Sequence, residues 1–455
     1  MQHHELNNPE LMPTRSEDRD INIWDFTMLW AGMTINMGAF TMGAQLYPGL
    51  SPLMILGAIL VAYMIVTSIL VLTGDIGIRY GMPFAVYIRS CFGYQGAKIP
   101  AVLRAIPACF WFGFQTWVAA VAIGKLLELW FGYTNTTLLI LVFAALQVIN
   151  AIYGMKAMAK FDWVAIPALT VLIGAVTLWL LGDNDATLFD VFSAPATGDG
   201  SFWFAVMGIA GIWITMGLNS PDLTRKLERS RDHASTNFFV RNRKPFMAQL
   251  GGLIVIGTGI LLVGMIGGIL TGTWDPIAIV TDSISHPVVL ILSMLTIAFA
   301  QWSTNTAANL MPSAYVLMNV FPRLSFGWGV AISGALGLLM MPWLFADSLL
   351  WFTVITSALL GPVAGIMIAD YYLLRRGKLD PEQFYDPKGP FVYQRNFNLR
   401  GFAVFGLSFV ASVAFVELAF FVGLAVSVIG YTVAMRGEVG RQQQSMTALK
   451  EAPQG

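Results

Sequence analysis

The sequence predicts an all-α polytopic membrane protein of twelve transmembrane helices, and three observations carry that prediction. Of its 455 residues, 56 % are hydrophobic and only 11 % charged, with a mean hydropathy of +0.67, whereas soluble domains are about one quarter charged. Apolar runs of roughly 20 residues, long enough to cross a hydrocarbon core about 30 Å thick, recur at 25–47, 52–73, 102–130, 137–155, 162–181, 202–219, 246–271, 287–315, 326–345, 349–374, 401–416 and 418–435. The connections alternate in basic content, as short cytoplasmic loops rich in Lys and Arg require.

Residues 1–24 are polar and include Glu17, Asp18 and Asp20, which reads as a cytoplasmic tail and not as a signal peptide. The first run contains "WAGMTINMGAFTMGAQLYPG", interrupted by Gly32, Gly38 and Gly43 and by Thr34, Asn36 and Thr41. With the N-terminus inside, the second, fourth, sixth, eighth and tenth connections become cytoplasmic, and only Lys125 among the Lys and Arg residues is left on the outer side. The acidic fifth connection, "GDNDATLFDVFSAPATGDG", is then external. The sixth run, "FAVMGIAGIWITMGLNSPD", carries Gly208, Gly211 and Gly217 and is expected to be interrupted too. Glycines also serve close helix packing, but an unwound backbone in lipid is tolerable where it lines a cavity or is buried by protein. Interruptions in the first and sixth spans, which run in opposite directions, point to inverted repeats. The expected plan is a transporter domain over 25–435, with repeat one at about 25–181, repeat two at about 202–374 and two extra helices at about 401–435. The polar stretch 436–455 is expected to be a disordered cytoplasmic tail.

Several function classes are excluded. Asp25, Asp75, Asp162, Asp222, Asp370, Glu128 and Glu417 fall at predicted span ends or in loops, and His3, His4, His233 and His286 fall away from the bilayer centre. This leaves no carboxylate or imidazole to relay protons through the middle. It also leaves no nucleophile with a base and no metal-ligand spacing, so no enzyme is expected. Cys91 and Cys109 imply no disulfide framework. No basic patch with exposed aromatics suggests nucleic acid, and no obligate protein partner is evident. The lipid bilayer of the cell inner membrane is the expected environment.

The spans do contain neutral hydrogen-bonding groups and indoles. Trp111 and Gln115, four apart in "PACFWFGFQTWVAA", share a helix face. Trp213 lies deep in the sixth run. Two indole faces beside a Gln amide suit a flat, uncharged, amide-rich ligand. The eighth run ends in "AQWSTNTAAN", where Asn305 and Asn309 share a face about one turn beyond Ser303 and Thr304. Hydroxyls here, with carbonyls freed where the first span unwinds, could hold a hard cation such as sodium.

"WFGFQTW", "LNSPDLTR", "QWSTNTAANLMPSAY" and "SALLGPVAGIMIADYYLLRRGKLD" resemble the nucleobase:cation symporter-1 family, which includes sodium-coupled hydantoin transporters and carriers of uracil, allantoin, cytosine and purines. The resemblance runs from the first span to beyond the tenth. It implies the LeuT-like 5+5 inverted repeat with helices 1 and 6 broken. It further implies a substrate held between Trp111 and Trp213 and hydrogen-bonded by Gln115 and Asn309, and sodium held by carbonyls of Gly32, Ile35 and Ala300 and hydroxyls of Ser303 and Thr304. Asn36 stands where the hydantoin carriers have Gln, and Thr215, two residues after Trp213, stands where a smaller residue is expected. Both are expected to touch the substrate, as is Asn305. The expected function is sodium-coupled symport of a small planar nucleobase or ureide, such as uracil, allantoin or hydantoin, by alternating access. The alternative is a proton-coupled permease of the same family for cytosine, purine or thiamine-like substrates.

Overall fold

Helix is the only way for a single chain segment to satisfy its own backbone in hydrocarbon without closing a barrel, and the architecture follows that constraint. The computed structural model describes residue 6 and residues 8–152, 155–284 and 286–451. Among them, eight helices are long and apolar enough to cross a membrane. These are helix 2 (Pro52–Tyr80), helix 3 (Lys98–Phe131), helix 5 (Ile166–Asp183 as the apolar portion), helix 6 (Phe202–Thr224), helix 7 (Phe238–Thr271), helix 8 (Pro287–Val320), helix 10 (Pro342–Leu374) and helix 12 (Val416–Gln444). Three shorter apolar helices, helix 4 (Thr136–Ile152), helix 9 (Phe326–Leu339) and helix 11 (Leu399–Ala414), and a divided first span complete the expected twelve.

The first span breaks where the sequence suggests. Helix 1a (Ile23–Thr34) and helix 1b (Met37–Gln45) are separated at Ile35 and Asn36. Asn36 is extended, at φ −135° and ψ 149°, and its side-chain oxygen caps helix 1b by accepting from the Ala39 N–H at 2.8 Å. Its amide donates back to the Met33 and Thr34 carbonyls, each at 3.2 Å. Gln301 of helix 8 accepts from the Met37 N–H at 3.3 Å. Side chains thus replace the backbone partners that the break removes.

The sixth span does not break. Helix 6 runs continuously through Gly208, Gly211 and Gly217, contrary to the expectation of two interrupted helices. Its glycines serve packing: a Cβ on Gly211 would lie 2.0 Å from the Thr353 carbonyl oxygen of helix 10. No residue in this stretch plays the part that Asn36 plays in the first span.

Helix 6 lies along helix 2, helix 1b along helix 7, and helix 3 against helices 8 and 9. The contact between 1b and 7 is backbone on backbone, because a Cβ on Gly264 would sit 1.9 Å from the Phe40 carbonyl oxygen and one on Gly43 would sit 2.0 Å from that of Leu261. Two buried carboxylates tie the helix ends together. Asp75 of helix 2 accepts from Arg241 at 2.5 and 2.9 Å, Asn242 at 2.8 Å and Tyr371 at 3.0 Å. Asp370 of helix 10 accepts from Arg375 and Ser90 at 2.8 Å, Tyr87 at 2.9 Å and Tyr431 at 3.3 Å. With every charge neutralised and its lone pairs used, such pairs survive burial.

Described stretches of both tails pack against the helices. Leu6, Leu11 and Ile21 are buried, and Arg19 donates to the Ile78 carbonyl at 2.8 Å. Helix 12 continues as Ala419–Glu451 without stopping at residue 435. Val439 is buried beyond that point, and Gln442 bonds both Arg375 at 3.1 Å and the Pro390 carbonyl at 3.0 Å. The expected disordered tail is therefore a docked helix over this stretch.

Gly264→Ala should force helices 1b and 7 apart at a cost of about 1–3 kcal/mol, the usual penalty for overpacking. A melting temperature of the purified variant equal to that of the wild type would contradict this packing.

Candidate functional site

Trp111 and Gln115 of helix 3, Asn36 beside helix 1b, Trp213 and Thr215 of helix 6, and Thr304 and Asn309 of helix 8 line one cavity, with Met33, Ile212, Met216 and Ala308. The space between these residues not filled by atoms, including that open to solvent, is about 310 Å3. It lies on a seam. Helices 3 and 8 supply one wall, and helices 1 and 6 the other.

Each wall is held from behind. The Trp111 ring rests on Gly38 of helix 1b, where a Cβ would come within 2.5 Å of it, and Phe352 of helix 10 meets it edge-on at 6.0 Å and 77°. Trp213 is braced by Trp30 at 6.2 Å and Tyr63 at 6.5 Å. Asn309 lies in a π-helical turn, Thr306–Leu310. Such turns widen a helix and recur at functional sites.

The polar groups fall into two classes. The indole N–H of Trp111 and Oε1 of Gln115 are buried with no hydrogen-bond partner, whereas Trp213 interacts with the Tyr63 hydroxyl. Burial of an unmatched polar group costs about 1–3 kcal/mol, so an unmatched donor and acceptor on residues that line one small space need a reason. The Thr304 hydroxyl and the amides of Asn36 and Asn309 are engaged. Asn36 borders the cavity, but both ends of its amide are committed to the backbone of the break.

Asn305 corrects the sequence reading most clearly. It does not line the cavity. Its amide nitrogen donates to the Phe112 carbonyl at 2.9 Å and to the Thr116 hydroxyl at 3.2 Å, and its oxygen accepts from Asn309 at 2.8 Å. Asn305 therefore fixes the Asn309 amide and ties helix 8 to helix 3. A spacing of four residues puts two amides on one face, but it does not say which of them meets the cavity and which meets a neighbouring helix.

The expected cation residues also converge. The Thr304 hydroxyl lies 2.7 Å from the Gly32 carbonyl oxygen and 3.1 Å from that of Ile35. Ile35 is the residue at which helix 1a ends, at φ −76° and ψ 81°. A hydroxyl carries one proton, so it can donate to only one of the two carbonyls at a time. The cluster has more oxygen lone pairs than protons, as the oxygen-only coordination of hard cations requires. Ala300 lies buried one helical turn before Thr304. The side chain of Ser303 lies outside the described residues.

Met33, Ile212, Met216 and Ala308 carry no polar signal that would single them out in the sequence. The part of Gln301 in capping helix 1b appears only in three dimensions.

A family model described as "Permease for cytosine/purines, uracil, thiamine, allantoin" matches residues 13–435. The chain is 32 % identical over 437 residues to a hydantoin permease of Microbacterium maritypicum, covering 95 % of this chain and 89 % of that one. It is 31 % identical over 469 residues to an allantoin permease of Bacillus subtilis, covering 96 % and 94 % of the two chains. Its fold superposes with a TM-score of 0.91 at 32 % identity, over 96 % of each chain, on Mhp1, a nucleobase-cation-symport-1 family transporter solved in a closed conformation with bromovinylhydantoin bound.

Asn305→Ala should leave the Asn309 amide without its partner, remove the side-chain link to the Phe112 carbonyl and the Thr116 hydroxyl, and cost about 1–3 kcal/mol. The loss should appear as a lowered melting temperature with no ligand added. An unchanged value would remove Asn305 from its supporting position.

Proposed function

The chain belongs to the nucleobase:cation symporter-1 family of multi-pass membrane permeases, and from that premise we propose that it is a secondary active symporter importing a small planar nucleobase or ureide with sodium. The observation that carries this reading is the cavity lined by two indole rings and by Gln115, whose amide oxygen, like the Trp111 N–H, is buried with no hydrogen-bond partner. A flat ligand with carbonyl acceptors and an N–H donor matches that set. Its two faces match the indole rings, and the Asn309 amide, held in place by Asn305, adds orientation.

The seam location supports alternating access. Helices 1, 2, 6 and 7 would rock against 3, 4, 8 and 9 about a site that both groups share. Helix 10 carries Phe352, whose ring stacks on Phe110 at 3.7 Å and abuts Trp111. That contact suits helix 10 to act as an outer lid. Gly32, Ile35 and Thr304, with Ala300 and Ser303, are the residues that would hold sodium, which when bound supplies a positive charge joining helix 1a to helix 8. The proposed organisation is two inverted repeats over about 25–181 and 202–374, followed by helices 11 and 12, in the inner membrane with both termini cytoplasmic. The basic connections support that orientation.

Trp111→Phe keeps a ring but removes the indole N–H, and should weaken substrate binding by roughly tenfold. Trp111→Ala should abolish uptake into proteoliposomes, since base stacking on an aromatic ring is worth about 1–3 kcal/mol. Normal uptake by Trp111→Ala would eliminate this pocket as the substrate site.

Thr304→Val preserves shape without the hydroxyl. In the wild type sodium, compared with choline, should raise the melting temperature in the presence of substrate, and in Thr304→Val that increment should vanish. A persistent sodium increment would relocate the ion site, and an increment that follows pH instead would favour proton coupling.

A further inference from the structure

Arg104 of helix 3 is completely buried. It is seven residues from Trp111, and therefore on the same helical face two turns away. Its Nε donates to the Thr215 carbonyl at 3.2 Å and one terminal nitrogen lies 3.7 Å from the Met216 sulfur, while the other terminal nitrogen has no partner. Thr215 and Met216 both line the cavity, so the guanidinium sits directly behind its wall.

A buried cation in a membrane protein is expensive and is normally paired. The charged and titratable groups acting on Arg104 are Asp222 of helix 6 and Cys109 of its own helix. Asp222 spends its oxygens elsewhere: it accepts from the Phe84 N–H at 2.9 Å and from the Asn219 amide, and Arg225 is a second cation acting on it. Neither Asp222 nor Cys109 is hydrogen-bonded to the guanidinium. The cavity is thus backed by a positive charge that the protein neutralises only at a distance.

We propose that Arg104 is a specificity-determining residue that biases the site toward imides, ligands with an acidic N–H between two carbonyls such as hydantoins, allantoin and uracil, and against cytosine and cationic thiamine. This rests on the transport reading above and selects among the chemistries of the family. An imide carries negative charge density on its oxygens and can lose its proton to become an anion. Cytosine lacks that group, and thiamine brings a second positive charge. A unit charge acting across one side-chain layer in a poorly screened site is worth on the order of tenfold in affinity. The residue lies at the inner-loop end of helix 3, so a departing ligand would meet it as the Thr215 contact opens.

The test uses the purified full chain in detergent with sodium, with binding read by quenching of tryptophan fluorescence. The ligands are hydantoin, its derivative methylated at the imide nitrogen, cytosine and thiamine, each titrated at several pH values spanning ionisation of the hydantoin imide. Wild type should bind hydantoin more tightly as the imide ionises, and at least tenfold more tightly than cytosine or thiamine. Arg104→Gln should flatten that pH profile and shrink the preference to within about threefold, while Arg104→Lys should retain both. A profile unchanged in Arg104→Gln, or wild-type binding of thiamine or cytosine as tight as that of hydantoin, would overturn the inference and leave the transport reading standing. Failure of the wild type to bind any of the four ligands, and uracil and allantoin besides, would overturn both.

Discussion

The break in helix 1 is the constraint on which the site depends. Hydrocarbon offers no water to replace a lost backbone partner, so a helix can be interrupted there only if side chains complete it. Asn36 does so from within, by capping helix 1b and bonding back to the end of helix 1a. Gln301 and Thr304 do so from helix 8. The same arrangement points the Gly32 and Ile35 carbonyls at a hydroxyl that can satisfy only one of them at a time. The oxygen cluster is a consequence of the repair.

The cavity follows from the same geometry. With helix 1 divided at this depth, Gly38 at the start of helix 1b offers a surface without a side chain, and the Trp111 ring occupies it. Trp213 faces it from an unbroken helix 6. A second break on that side is unnecessary, because helix 6 contributes side chains and the Thr215 carbonyl engages Arg104. At the helix ends, Asp75 and Asp370 are each saturated with donors and fix helices 2, 7, 10 and 12 to one another. The polar groups near the cavity are instead left partly unmatched. Firm ends and an unsatisfied middle are what the proposed rocking carrier of a small ligand requires.

The sequence legible without structure included the span pattern, an interruption within the first span, and the shared helix face of Trp111 and Gln115. These were readable because each rests on local chemistry: hydropathy over one bilayer thickness, glycine and polar residues inside an apolar run, and helical spacing. The interruption of helix 6 was misread because glycine signals either unwinding or close approach, and the neighbour that decides between them, Thr353, is more than a hundred residues away. Asn305 was misplaced for a related reason. Its partners, Phe112 and Thr116, lie on another helix. Arg104 was overlooked because a basic residue near a span end ordinarily reads as an orientation signal.

By itself the sequence determined that the chain is helical and membrane-embedded, that the first span could be divided, and which residue types could stack, donate and coordinate. These are properties of single segments in a solvent without hydrogen bonds. Tertiary structure alone decided which of those residues share a cavity. It separated Asn309 at the wall from Asn305 behind it, kept helix 6 whole, docked the C-terminal helix, and set a buried guanidinium against the cavity lining. Each of these outcomes depends on what a distant helix presents at the point of contact, and side-chain spacing within one helix carries no information about that.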